Sequence, residues 1–306
     1  MITSMQTKNT QITKSKLKVT FCDRTLWQNF LSILGIIGTA ITLLSFFVTA
    51  NDIGINTFIL AAIFIAVVVA IFLYMWYAAN HTNYAKLRIN NTTVNVIVGD
   101  IWAQLQKSPD NRTGEISVLG VNDFYDIIVD NRIIAESSLH GQYIKKISNA
   151  GKLDQLNNVI ENDPILNQSG NRKTITSRKV GRQTRYELGS VVEFESYVLA
   201  AFTKFDNDNK AWLTSEEYVC FWMRFWENID RIYAGRTINI PLMGAGITRF
   251  KNGKPTKQEL LEVMLWSMKI SGFRNTYSAK QVNFIIYSPD AQEIDFYHIQ
   301  HNRIFN

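Results

Sequence analysis

Two stretches of the chain carry no charged residue: Leu26 to Ala50 and Ile55 to Ala79, each 25 residues long. About 20 apolar residues suffice to cross a bilayer as a helix, and the link "NDIGI" is short, so the pattern predicts a helical hairpin over 26–79. Beyond "NHTNYAKLRINNTT" the pattern breaks into short apolar runs: "VNVIVGD" (94–100), "EISVLGVN" (115–122), "RYELGSVVEF" (185–194), "YVLAAFTKF" (197–205), "RTINIPLMG" (236–244) and "QVNFIIYSP" (281–289). These are rich in β-branched residues and bounded by Gly, Asn, Asp or Pro, as strands are. Two helices are announced by capping boxes, Thr214 with Glu217 and Thr256 with Glu259. The first then carries Tyr218, Phe221, Trp222, Phe225 and Ile229, a core stripe at helical spacing. The second reaches Ser271 and stops at Gly272, a C-cap glycine. Strands alternating with helices predict an α/β layered domain with a mixed sheet over 85–306. The polar stretch 148–182 reads as an insertion or mobile loop.

Charge then sets the orientation. The chain has a net charge of +6. Much of it lies in residues 1–25, where Lys8, Lys14, Lys16, Lys18 and Arg24 face Asp23 alone. Lys86 and Arg88 follow the second apolar run, while the link carries only Asp52. Basic flanks at both outer ends place both termini, and so the basic 1–25 segment and the domain, in the cytoplasm, as a two-span protein of the inner membrane. A cleaved leader is the competing reading of the first run; its apolar core exceeds the usual ~7–15 residues. Ser32, Gly35, Thr39, Thr42 and Ser45 recur along one side of the first run, and Ala62, Ala66 and Ala70 along the second. Such small residues let helices approach closely in lipid, either to close the hairpin or to join hairpins of separate subunits.

Candidate chemistry is sparse. Cys22 and Cys220 are the only cysteines, and His81, His140, His298 and His301 show no metal-ligand or triad spacing. "FDNDNKAWLTSEEY" imitates a calcium loop from Asp206 to Glu217, but Lys210 and Ala211 stand where a ligand and the turn glycine are needed. No metal site is expected. The basic run Arg172, Lys173, Arg178, Lys179, Arg182 and Arg185 lacks interleaved aromatics for base stacking, so a nucleic-acid partner is not expected. What remains is a set of strand ends: Asp100 in "VGDI", Asn122 and Asp123 in "VNDFYD", and Gly244 and Gly246 in "IPLMGAGITR". Ligands of open α/β sheets bind beyond the carboxyl ends of strands.

Together with "SSLHGQ" (137–142), these motifs resemble, in order, those of macro domains, the ADP-ribose-binding fold. With the hairpin added, the chain resembles the membrane-anchored macro-domain effectors of Thoeris anti-phage defence. The resemblance implies a ligand site and no cofactor: Asp100 for the adenine amine, Ile101 beside it, and Asn122 facing the distal ribose. Ser138, Leu139, His140, Gly141 and Gln142 would form one phosphate clamp, and Met243, Gly244, Ala245, Gly246 and Ile247 the other. It further implies a TIR-domain enzyme that turns NAD into an ADP-ribose-containing signal. Binding of that signal would drive homo-oligomerisation and membrane disruption, with no catalysis. An ADP-ribosyl hydrolase using Asn122 or His140 is the alternative; where hydrolytic relatives carry a glycine run, this chain keeps Gly141 alone and has Lys145 and Lys146 after it.

Overall fold

A computed structural model describes residues 18–47, 54, 56–105, 114–168, 170–206, 208–273, 281–302 and 304–305. The chain divides into two compact units, Met1–Thr82 and Asn83–Asn306.

The first unit holds helices α1 (Arg24–Ser45) and α2 (Thr57–His81), both long and apolar enough to cross a membrane. At 1.5 Å per residue they measure about 33 and 37 Å, against a hydrocarbon thickness of about 30 Å. Residues 48–53 and 55, where the expected runs end and begin, lie outside the described residues. Asp23 and Asn56 cap the two helix starts through the Leu26 and Phe58 amides. The hydroxyls of Ser32, Thr39 and Thr42 donate to Gln28, Gly35 and Gly38 carbonyls one turn back, at 2.8, 2.8 and 2.9 Å. They are therefore satisfied without water, as an apolar surround requires. Asn80 ties the chain before α1 to the end of α2: its Oδ1 accepts from Lys18 and Val19 amides, and its Nδ2 donates to Val19 O, all at 3.0 Å.

In the second unit, nine strands among the described residues form one sheet. Strands β1 (Tyr84–Ile89), β2 (Thr92–Val98), β3 (Glu115–Asn122), β6 (Val191–Phe194), β7 (Tyr197–Phe205), β8 (Ala211–Leu213), β9 (Thr237–Pro241), β10 (Arg249–Phe250) and β11 (Gln281–Ile286) contribute. Their order is β1-β2-β11-β9-β3-β7-β8-β10, with β6 also on β7. β2, β11, β9, β3 and β7 run parallel, and β1, β6 and β8 pair antiparallel. The sheet is mixed, as expected. Its central strands are covered on both faces, which is why they read as continuous apolar runs rather than alternating ones.

One face packs under α6 (Ser215–Ile232) and α7 (Lys257–Ile270), where Phe221, Trp222, Phe225, Leu261 and Met264 are fully buried. Both predicted capping boxes form. The other face packs Leu119, Val121, Phe124 and Tyr125 under α4 (Leu139–Asn149). Helix α3 (Ile101–Leu105) follows β2, and α8 (Phe296–His301) lies on β1.

Two expectations are corrected. The stretch 148–182 contains helix α5 (Leu153–Asn162), with Leu156 and Ile160 buried, and strand β4 (Arg172–Thr174), which pairs with β5 (Thr184–Tyr186). A few well-spaced apolar residues suffice to anchor an otherwise polar helix. The run 185–194 is broken between β5 and β6 by Gly189, at φ 86°, where an added Cβ would lie 2.8 Å from Phe221 O of α6.

Candidate functional site

The parallel strands β2, β9 and β3 end on one side of the sheet, and the motifs singled out in the sequence follow them. After β2, the Gly99 amide donates to Ile286 O at 2.9 Å. Asp100 then caps α3, its Oδ1 accepting from the Trp102 amide at 2.9 Å. Its carboxylate is exposed while Ile101 is buried. The Trp102 indole donates to Gln142 Oε1 at 2.9 Å, which links the start of α3 to the start of α4.

The expected loop 137–142 is largely a helix start, because Ser138 is an N-cap and Tyr143, Ile144 and Ile147 form a buried face behind it. Ser138 Oγ accepts from the Gly141 amide at 3.0 Å and donates to Ala135 O at 2.6 Å. Gly141 is fixed by close approach: an added Cβ would lie 2.2 Å from Ala135 O. Leu139 is half-buried, and Gln142 also donates to Ser137 O at 3.0 Å. His140 is buried, and that burial holds its imidazole neutral, with the pKa lowered to about 4 against a smaller opposing pull from Asp126. Lys146 donates to the Tyr197 hydroxyl at 2.7 Å, and Lys145 pairs with Glu136.

After β9 the chain makes a tight turn, with the Ala245 amide donating to Leu242 O at 3.4 Å. Gly244 has φ 87°, and such a left-handed value at the third position of a turn is what a type II turn needs. Met243 is buried, Ala245 half-buried, and Gly246 and Ile247 exposed. Lys254, which the sequence did not mark, and Tyr218, which read only as a core residue, hold carbonyls of this turn.

The turn after β3 behaves differently. Asn122 is buried; its Oδ1 accepts from the Phe124 and Asp126 amides at 3.1 and 3.2 Å, and its Nδ2 donates to Asp126 Oδ2 at 3.0 Å. The carboxamide is thus taken up inside the turn rather than presented outward. Buried Asp126 pairs with buried Arg178 through two contacts of 2.7 and 3.1 Å, and Arg178 lies 3.8 Å over the Phe124 ring. Asp123 has Arg185 Nε at 2.9 Å and accepts from the Phe205 amide at 3.1 Å. Burial pushes its carboxyl up to about 7, against the pull of Arg185. Both arginines come from the polar stretch around the β4–β5 hairpin and had read only as part of a basic run without interleaved aromatics. Their partners are remote in sequence (52 residues for Arg178) and leave no local signal.

Two clefts lie nearby, and neither is lined by the expected ligand residues. One of about 430 Å³ is lined by Arg185, Lys204, Phe205, Asp206, Trp212 and Lys251. The other, about 450 Å³, lies between the starts of α6 and α7 and includes Tyr218, Lys254 and Glu259. Among the described residues no cluster of His, Cys, Asp and Glu could hold a metal ion. What the strand ends can do chemically is offer main-chain amides at a glycine turn and a capped helix start to an anion, beside one exposed carboxylate.

A family profile described as Thoeris protein ThsA, Macro domain, matches residues 94–287. Thoeris protein ThsA of Bacillus amyloliquefaciens (strain Y2) is 32% identical over 287 residues, covering 93% of this chain and 92% of that protein. Among solved structures, a variant of the Oceanobacillus iheyensis macrodomain superposes with a TM-score of 0.42 at 14% identity, covering 72% of this chain and 96% of that one. The same macrodomain with ADP gives 0.36 at 13% identity, covering 71% and 94%. A glycine-to-valine variant with ADPR gives 0.36 at 14%, covering 71% and 96%.

Proposed function

Because this chain belongs to the Thoeris ThsA macro-domain family of defence proteins, we propose that its Asn83–Asn306 unit binds an ADP-ribose-type nucleotide. That ligand is derived from NAD by a TIR-domain protein. What supports the reading is that the Asp100 turn and the Gly244 turn follow the parallel strands β2 and β9, and that the Trp102–Gln142 bond joins the Asp100 turn to the Ser138-capped helix start. In this reading Asp100 takes the adenine amine, and the amides of the Ser138-capped helix start and of the Gly244 turn take the diphosphate. Asn122 contributes by shaping its turn, not by touching ribose.

The α1–α2 hairpin then anchors the protein in the inner membrane with both termini in the cytoplasm. Ligand-bound domains associate, and their gathered hairpins breach the bilayer. A ligand can drive such assembly only by binding the assembled state more tightly than the free one. The hydrolase alternative would need Asn122 or His140, and nothing in their placement favours it: both are buried, one is held by Asp126 and the other is neutral.

Isothermal titration of the full chain in nanodiscs with ADP-ribose tests the reading. Saturable binding that weakens about tenfold or more in Asp100→Ala supports it, the loss expected when a hydrogen bond to a charged group goes. No binding, or equal binding by the variant, overturns it.

A further inference from the structure

We infer that Lys254, with Tyr218, is a positioning residue for the glycine turn: it holds the turn's carbonyls from behind and thereby aims its amides at the ligand's diphosphate. The inference rests on the turn being the diphosphate seat proposed above, and it adds a residue outside every motif that pointed there.

Lys254 Nζ donates to Ala245 O and Gly246 O, both at 2.7 Å. The Tyr218 hydroxyl donates to Met243 O at 3.1 Å. Three carbonyls of one short turn are therefore drawn toward the side of the chain where α6 and α7 begin. A trans peptide is planar, with its N–H directed opposite to its C=O. Fixing those carbonyls rearward consequently turns the N–H groups of Gly244, Gly246 and Ile247 forward, away from Lys254. The Ala245 amide is the exception, since it closes the turn onto Leu242 O. Forward-facing amides in a short turn make an anion-binding concavity.

Charge reinforces the geometry. An ammonium on the carbonyl side of a peptide polarises that unit and strengthens its N–H as a donor. The turn thus gains positive character at its front with no lysine in the seat itself. Lys254 can do this reproducibly because the chain around it is pinned: Pro255 follows, and Thr256 and Glu259 close the capping box of α7. Its side chain occupies an open cleft of about 450 Å³ and not the core, so its replacement leaves the packing intact. Tyr218 is less suitable for a test, being fully buried among aromatic rings.

The experiment titrates the full chain in nanodiscs with ADP-ribose and with adenosine, for wild type, Lys254→Met and Lys254→Arg. Lys254→Met is expected to weaken ADP-ribose about tenfold, the scale of losing charge-assisted hydrogen bonds. Adenosine, which has no diphosphate, should bind all three alike, and Lys254→Arg should restore most of the lost affinity. Undiminished ADP-ribose binding by Lys254→Met overturns the positioning role while leaving the ligand reading in place, and so does equal loss of both ligands. Failure of wild type to bind ADP-ribose fails the ligand reading itself, and the positioning role with it.

Discussion

Strands β3 and β9 lie side by side and run in the same direction, yet the turns that leave them are built in opposite ways. After β3, Asn122, Asp123 and Asp126 are all buried; Asn122 and Asp126 are bonded to amides, to each other and to Arg178, and Asp123 accepts from the Phe205 amide with Arg185 Nε 2.9 Å away. After β9, the chain exposes Gly246 and Ile247, and Lys254 holds the turn's carbonyls from behind. The first is a buried side-chain network and the second a main-chain surface. Both look like ligand loops in sequence, because Asn and Asp at a strand end serve as well to satisfy a buried turn as to meet a ligand. The difference is made by arginines far away in the chain.

The heaviest blow to this contrast would fall on the β3 turn. Arg178→Met leaves Asp126 buried without its partner, and breaking a buried pair this way costs about 3–5 kcal/mol. Chemical denaturation of the full chain in detergent should register that loss; a change below about 1 kcal/mol would mean the turn is not held by this pair.

Next in size are two opposed pH effects. Asp123 stays protonated up to about 7 when folded, against 3.8 as its ordinary value, so its contribution is present below 3.8 and is lost as pH rises to about 7. His140 titrates at about 4 when folded, against 6.5, so its contribution is present above 6.5 and is lost as pH falls to about 4. The slopes oppose one another, and wild-type stability should vary little between about pH 4 and 6.5. His140→Gln should then lose stability as pH rises through this window, and Asp123→Asn should lose it as pH falls, each by a few kcal/mol. Variants that both track wild type would show that neither group titrates as its burial dictates.

A smaller effect is expected at the β9 turn. Gly244→Ala forces a left-handed residue at a cost of about 1–2 kcal/mol, and its Cβ would press on Leu260 at 3.3 Å. Here the sharper readout is ADP-ribose affinity, expected to fall by about tenfold or more, because the peptide must rotate to relieve the strain. Smallest is Trp102→Phe, which removes the bond to Gln142 for about 0.5–1.5 kcal/mol and weakens ADP-ribose only a few-fold. Equal binding losses in Gly244→Ala and Trp102→Phe would erase the special standing of the glycine turn.

How much of this was legible in sequence depended on the range of the forces involved. The bounds of β3 and β7, both capping boxes and the aromatic stripe of α6 could be read directly, since burial on both faces and helix capping act within a few residues. The edge strand β1 went unseen: its exposed Lys86 and Arg88 alternate with buried Ala85, Leu87 and Ile89, and the charges had been read as flanks of an apolar run. Helix α4 was hidden by its polar opening, and α5 by the sparse spacing of its buried residues. At the site, Gly244 announced itself, because a glycine after a buried strand is a local signal. Lys254 and Arg178 did not, since each matters only through a contact made after folding.

The most direct test of the contrast is hydrogen exchange of the full chain in nanodiscs with and without ADP-ribose. Slower exchange in residues 242–250, with residues 122–126 unchanged because they are already protected, is the result expected. Bound ligand that leaves 242–250 exchanging at its free rate would contradict the account.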